Sequence, residues 1–487
     1  MESDKQLGLR YDVEEKKAQS ESFSPDEALI LDYAVQEKRL LRKLDLRIIP
    51  VLWFLFLVSF VDRGNLGNAK IEGIIPDLNM KGNKYNMAVM VFTLTYVAFQ
   101  LPANIAFKRY GTWVLSLYMF IWGICCVCQG VTESFAGLIV CRLLMGAFEA
   151  GFVPGCAYLI GSYYKRNEYL RRYVIFFSAM MAAGAFNGLL ARCIEHMDGI
   201  GGYEGWRWIF ILEGLFTVVT AVCSYFLIVP FPEKCTFLTP IEKKFMLERL
   251  AADGANVKND KLHLFTMMKD WKIWFAIFGY LGAQNTASSI VAFQPTILKS
   301  LGWSSASAQV HSIPIYAVAF VVSLSCAFLS DHLKLRYPFT IFGMCLCLIG
   351  WSIELAHVPQ AELRYMGMFF VAAGAYTMMP IIVVWTAINL GKGYKRTVGL
   401  AMLIGLGNCG AFISSNVFIT SEGPEYKTGF SVGIGLNMMG GVAVTILFLG
   451  LIRENHRRDK LQTSGQVPTD IPLEDLGEEH PNFRYQI

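Results

Sequence analysis

The stretch Ile48-Ile-Pro-Val-Leu-Trp-Phe-Leu-Phe-Leu-Val-Ser-Phe-Val-Asp62-Arg63 decides the fold. It runs without a charge from Ile48 to Val61 and then places an acid and a base side by side, still ahead of further apolar sequence. Crossing the hydrocarbon of a bilayer takes roughly 20 apolar residues in a helix. Residues 48–68 therefore read as one crossing. Outward from it, comparable stretches recur near 86–107, 112–132, 134–163, 173–194 and 207–229. A polar, Lys/Glu-rich segment (230–271) interrupts, and six more stretches follow near 272–298, 308–330, 337–357, 364–390, 397–420 and 429–452.

The expected fold class is all-α: a polytopic membrane protein of twelve transmembrane helices in two pseudo-symmetric six-helix bundles. The divisions are a tail (1–47), a first bundle (48–229), a central loop (230–271), a second bundle (272–452) and a tail (453–487). Composition agrees. The 487 residues are 54% hydrophobic and only 17% charged, against about 25% charged in soluble domains, and the mean hydropathy is +0.41. The 12 cysteines fall mostly inside apolar stretches and read as buried thiols, including Cys125, Cys126 and Cys128. The first 47 residues are too polar for a signal peptide, and both end segments, 1–37 and 460–487, read as disordered.

Lys and Arg set the orientation. Arg39, Arg42, Lys43, Arg47, Lys108, Arg109, Lys165, Arg166, Lys334, Arg336, Lys395, Arg396 and Arg453 fall on one set of loops. The other set carries mostly single basic residues, such as Arg364 and Lys427, with Lys70, Lys81 and Lys84 the exception. Under the positive-inside rule both termini face the cytoplasm. Tyr164-Lys165-Arg166 and Tyr394-Lys395-Arg396 occupy equivalent places in the two halves, as an internal duplication with its site between the halves would have it. Thr239-Pro240-Ile241-Glu242 reads as the start of a short helix in the central loop.

Ionisable residues inside hydrocarbon are expensive and usually functional or paired. Asp62 and Arg63, Arg142 and Glu149, and Glu213 are of this kind. A rise of about 1.5 Å per residue puts Asp62, Arg63 and Arg142 at similar depth, and Glu149 two turns from Arg142 on one face. The expectation is that Asp62 pairs with Arg142 while Arg63 waits for an anion. Asp62 and Glu149 are the proton-coupling candidates. Glu213 is expected to pair with Arg207 or to be exposed. Tyr96, Gln100, Asn104, Asn187, Gln284, Asn285, Tyr376, Trp385, Asn408 and Asn416 are candidates for cavity walls, and Pro102 and Gly405-Leu406-Gly407 for bends.

Three motifs resemble the anion:cation symporter family of the major facilitator superfamily. They are Asp62-Arg63-Gly64-Asn65-Leu66-Gly67-Asn68-Ala69, Arg142-Leu-Leu-Met-Gly-Ala-Phe-Glu149-Ala-Gly-Phe-Val-Pro154-Gly155, and Trp206-Arg207-Trp208-Ile-Phe-Ile-Leu-Glu213-Gly214. The resemblance spans about 40–455 and is greatest to the fungal branch of allantoate, nicotinate, pantothenate and biotin permeases. It implies substrate binding by Arg63, anion binding by Arg142 and proton coupling by Glu149, with Asp62 as a second proton carrier. It also implies cytoplasmic gating loops at Lys108, Arg109 and Asp331, the loop before Gly111 lacking the family's usual acidic residue.

The functional expectation is proton-coupled symport of a small organic anion, a monocarboxylate such as nicotinate or a related vitamin or ureide. Gln284, Asn285, Tyr376 and Asn408 join Arg63 and Arg142 as substrate-binding candidates. The alternative is efflux of an acidic secondary metabolite. An enzyme is not expected, since neither a phosphate loop nor a His-Glu-x-x-His motif is found. The expected partners are a small carboxylate, protons and the lipid bilayer, with no nucleic acid, metal or cofactor, and a monomeric state. The expected location is the plasma membrane, with an internal membrane as the alternative.

Overall fold

The computed structural model describes residues 25–195, 197–252, 269–390, 394–418, 422–423, 425–463 and 483–487. Among these residues there is no β-strand, and every expected apolar stretch falls on helix. Numbered in chain order, the helical rods of the first half are Pro25–Ile71, Lys84–Tyr110, Trp113–Gly130, Phe135–Glu149 continued by Phe152–Tyr163, Arg166–Phe177 continued by Ala179–Glu195, and Gly205–Leu227. Those of the second half are Trp271–Ser300, Ser305–Leu333, Tyr337–Leu355, Ala361–Asn389, Tyr394–Gly407 continued by Cys409–Val417, and Lys427–Thr463. Nine helices among the described residues are long and apolar enough to cross a membrane, ten with rod two, which bends by 49° near Pro102. Rods seven and eleven fall outside that count: polar residues dilute rod seven, and rod eleven is two short pieces.

Rod one packs on rods five and six, rod two on rod four, and rod three on rods four and six. In the second half rod seven packs on ten, eleven and twelve, and rod nine on ten and twelve. Across the halves, rod one meets rod seven, rod two meets rod eleven, and rod five meets rod eight. Small residues permit the close crossings, as expected where no hydrophobic effect drives helices together. A Cβ on Gly67 would lie 3.0 Å from the Val291 carbonyl oxygen, so a larger residue there would push rods one and seven apart by a small amount.

One face of the bundle carries the tails and the connector between halves. There Glu37 accepts from Lys165 Nζ at 2.7 Å and from Arg249 Nε at 2.8 Å, and Arg249 also pairs with Glu168. Arg172 holds Asp45 at 2.6 Å. The helix Pro240–Ala252 begins as expected from its sequence, with Thr239 and Glu242 capping one another. At the opposite, far face the halves are tied together. Tyr85 Oη donates to the Ala292 carbonyl at 3.0 Å, Asn86 Nδ2 to that of Phe418 at 2.8 Å, and Gln309 Nε2 to Glu72 Oε1 at 2.8 Å.

Both end segments need correction where they are described; the expectation for residues 1–24 and 464–482 lies outside the described residues. The first helix begins at Pro25, well before the membrane. Residues Phe483–Ile487, expected to be disordered, lie against the second half. Gln486 donates to Asn389 Oδ1 at 2.8 Å and its carbonyl accepts from Trp385 Nε1 at 2.8 Å and Asn389 Nδ2 at 2.9 Å. Backbone groups of the tail supply partners that side-chain composition could not reveal.

Candidate functional site

A cavity of about 90 Å³ lies between the halves, where rods one, two and four face rods seven and eleven. Arg63, Tyr96, Arg142, Gln284, Ser288 and Asn408 supply polar wall, and Phe60, Phe92 and Met180 apolar wall. Rod four breaks directly after Glu149, and rod eleven breaks at Asn408, just beyond Gly405-Leu406-Gly407. Interrupted helices at midplane are where transporters of duplicated architecture place their binding groups.

Arg63 is paired. Its Nε lies 2.5 Å from Glu149 Oε1, and Ser59 Oγ donates to the same oxygen at 2.6 Å. Its guanidinium stands 4.7 Å from the Phe60 ring centroid, 5.6 Å from Phe92 and 4.6 Å from Tyr96. That aromatic cage, built by Phe60 three residues before Arg63 and by Phe92 and Tyr96 one turn apart, was not read from the sequence. Cation–π contact of this kind favours a charge that has left water.

Arg142 is not paired as expected. It is 2% exposed and lines the cavity, yet its Nε and Nη2 have no hydrogen-bond partner among the described residues. Phe92 and Phe210 flank it at 6.0 and 5.9 Å. Rod four is held close to rod two by Gly146, since a Cβ there would fall 2.4 Å from the Phe92 carbonyl oxygen.

Asp62, expected to pair with Arg142, instead turns away from the cavity into the first half. Trp122 Nε1 and Thr217 Oγ1 donate to its Oδ2 at 3.1 and 2.8 Å, and Cys126 Sγ to its Oδ1 at 3.8 Å. The reason is azimuth: Asp62 and Arg63 are about 100° apart on one helix, so only one can face the centre. Glu213 also departs from expectation. It is buried beside the Asn65 side chain, within electrostatic reach of Asp62. Arg207 serves Asp77 at 2.7 Å and the Thr132 carbonyl at 2.6 Å, because residues six apart lie on different sides of a helix.

Gln284 and Asn408 line the cavity, as do Tyr85, Thr93 and Ser414. Asn285 and Tyr376 are buried behind it. Asn285 packs under rod eleven near Gly410 with its amide unpartnered, and Tyr376 lies against Tyr316 of rod eight. In the loop candidates, Lys108 Nζ stands over the Tyr158 ring at 4.6 Å, Arg109 over Tyr110 at 5.7 Å, and Asp331 accepts from Arg336 at 2.6 Å. A buried pair was missed altogether: Glu354 and Arg364 join rods nine and ten at 3.1 Å. Arg364 had read as a loop residue.

Helices joined across a central cavity, with buried cations facing it, define a membrane transporter rather than an enzyme. The profile of the Major Facilitator Superfamily matches residues 52–448, and the chain belongs to that family. Among its relatives is the MFS-type transporter cnsO of Penicillium expansum, 32% identical, the match covering 97% of each chain. The high-affinity nicotinic acid transporter of Saccharomyces cerevisiae is 29% identical over 92% of this chain and 85% of its own. Among solved structures, a D-xylose-proton symporter superposes with a TM-score of 0.60 at 14% identity, covering 82% of this chain and 97% of the other.

Proposed function

We propose that the chain is a proton-coupled symporter of a small organic anion, a monocarboxylate of the nicotinate kind, working by alternating access. The observation that carries this reading is the buried Arg142 guanidinium, which faces the cavity with two nitrogens unpartnered. A buried cation without a counter-ion is costly, and a carboxylate arriving in the cavity would offset that cost with charge-assisted hydrogen bonds. The similarity to a nicotinic acid transporter supports the same substrate class. A cavity of about 90 Å³ suits a small acid; a ring-bearing acid requires the walls to part, as engineered cavities of about 150 Å³ accept benzene.

Glu149 supplies the coupling. While ionised it holds Arg63. Protonation neutralises Glu149, frees Arg63, and lets both arginines meet the anion, so proton and cargo stabilise the same loaded state. Asp62, buried among neutral donors, is a second place for a proton. The twelve rods cross the plasma membrane with both termini cytoplasmic, which makes the tail face the inner one. The far-face hydrogen bonds then hold the outer entrance shut.

The test is uptake of radiolabelled nicotinate into cells at pH 5 and 7, competed by a panel of carboxylates and by neutral nicotinamide. Acid-stimulated uptake, blocked by acids but not by the amide and abolished in Arg142→Gln at normal surface level, is expected. Equal competition by nicotinamide would remove the anion from the reading.

A further inference from the structure

Rod twelve does not stop at the membrane. Its helix continues to Thr463, and one face changes character abruptly along the way. Met438, Val442, Ile446 and Leu449, spaced by four, four and three residues, are 57%, 60%, 42% and 58% exposed. An apolar stripe of this kind faces lipid. The same spacing continues, four, three and four, through Arg453, His456 and Lys460, all exposed. The basic residues therefore sit directly beneath the lipid-facing stripe, at the depth of the headgroups.

Between this face and the start of rod seven lies a groove of about 820 Å³, lined by Trp271, Lys272, Arg453, His456, Arg457 and Lys460, with two carboxylates, Asp270 and Glu454. Both carboxylates are engaged. Asp270 caps the Lys272 amide at 3.1 Å and lies 3.5 Å from its Nζ, while Glu454 accepts from Arg457 at 3.0 Å and Arg458 at 3.1 Å. Arg453 and Lys460 have no hydrogen-bond or ion-pair partner among the described residues. The 30-residue rod seven opens into the groove with its N-terminus, the positive end of its dipole. Trp271 marks the boundary itself. It is 39% exposed, and its ring leaves no room for a side chain at Gly450, where a Cβ would come within 2.3 Å. Tryptophan collects at membrane interfaces.

We propose that this groove binds the phosphorylated headgroup of an anionic phospholipid, of the phosphoinositide class, from the leaflet on the tail side. Its acyl chains lie along Met438, Val442, Ile446 and Leu449. Basic pockets at the ends of transmembrane helices recognise such headgroups through charge, and apolar contact holds the chains. The groove is too large for a single phosphate ion and is continuous with the lipid-facing stripe, which favours a lipid over a free anion.

The full chain, purified in neutral detergent, would be incubated with dioctanoyl phosphatidylinositol 4-phosphate, with dioctanoyl phosphatidylcholine, or with acyl-free inositol 1,4-bisphosphate. Retention is then read by native mass spectrometry. Preferential retention of the phosphoinositide is expected, falling about thirtyfold in the double variant Arg453→Gln, Lys460→Gln. Lys334→Gln, a basic substitution away from the groove, should bind as the unaltered chain does. If the double variant does not purify as a single species, each single substitution is read instead, with roughly a fivefold loss expected. Equal retention of phosphatidylcholine, or no loss in the variants, would overturn the proposal. Equally tight binding of the acyl-free compound would also overturn it, because the ligand would then be a soluble phosphate.

Discussion

Arg63 Nε lies 2.5 Å from Glu149 Oε1, while Arg142, two turns before Glu149 on the same helix face, leaves two guanidinium nitrogens unpartnered. One carboxylate thus serves one of two neighbouring arginines. The site is left with a net positive charge, and an anion is the natural complement.

Replacing Glu149 by Gln mimics its protonated form and removes the pair with Arg63. Uptake driven by an acid gradient should fall about tenfold or more, the equivalent of about 1.4 kcal/mol. Exchange of labelled for unlabelled substrate, which needs no net proton movement, should persist. A pH profile of both modes checks this, and unaltered acid stimulation in Glu149→Gln would exclude Glu149 from coupling.

On the proposed reading Arg142 holds the anion through charge-assisted hydrogen bonds, each worth about 1.5–3 kcal/mol. Arg142→Gln should therefore raise the substrate KM roughly tenfold to a hundredfold. Arg142→Lys keeps the charge but loses the planar fork and should recover only part of the affinity. Saturation kinetics in proteoliposomes separate the two.

Asp62 and Glu213 are neighbours with opposite demands. Asp62 accepts from Trp122 and Thr217, and Asp62→Ala leaves those donors buried without a partner, costing about 1–3 kcal/mol of stability for each group left so. Glu213 is buried with the Asn65 side chain as its polar neighbour and no cation paired with it among the described residues, and an ionised carboxylate in that position would be costly. Glu213→Gln should accordingly keep the melting temperature within a degree or two of the unaltered protein. Thermal unfolding in detergent gives both answers, and a large loss in Glu213→Gln would show that the carboxyl is ionised and held.

At the tail face, the Lys165 ammonium hydrogen-bonded to Glu37 holds its carboxyl below the usual carboxylate range, with Arg249 adding to the effect. A carboxyl lowered in the folded state stabilises fully above its unfolded value, about 4.3, and loses that contribution as pH falls through the folded value. Glu37→Gln should lower the melting temperature at pH 6–8, with the difference shrinking as pH falls below about 4.3. Arg249→Ala, which strips both Glu37 and Glu168 of a partner, should cost more than Glu37→Gln at neutral pH.

The sequence makes the helical architecture legible because lipid imposes a long, uniform apolar period that few other constraints imitate. It also exposes Asp62, Arg63, Arg142 and Glu149, since each charge stands alone against hydrocarbon. What depth along a helix cannot give is rotation about it. Asp62 was matched to Arg142 on depth alone, and its actual donors, Trp122 and Thr217, are residue types that any buried helix carries. Asn285 and Tyr376, polar residues expected at the cavity, are not among its lining residues for the same reason. Glu213 shows the converse: a motif neighbour in sequence, Arg207, was assumed to be a neighbour in space.

The last residues of the chain gave no sequence signal of order, yet they bind four parts of the second half. Ile487 accepts from the Arg336 amide at 3.0 Å, Gln486 is held by Trp385 and Asn389, and Tyr485 donates its amide to Asn455 Oδ1 at 2.9 Å. The Tyr485 hydroxyl accepts from Arg458 Nη2 and from Lys272 Nζ, each at 3.1 Å. These contacts bridge rods seven, ten and twelve and the loop between eight and nine. Removing Phe483–Ile487 leaves Trp385 Nε1 and the Asn389 amide without these partners, at about 1–3 kcal/mol for each group left buried. The truncated chain should melt several degrees lower and transport more slowly, with KM little changed because none of Phe483–Ile487 lines the cavity. Tyr485→Ala should show a smaller loss of the same kind. A truncation with an unchanged melting temperature and rate would mean that these contacts add nothing once the bundle has formed.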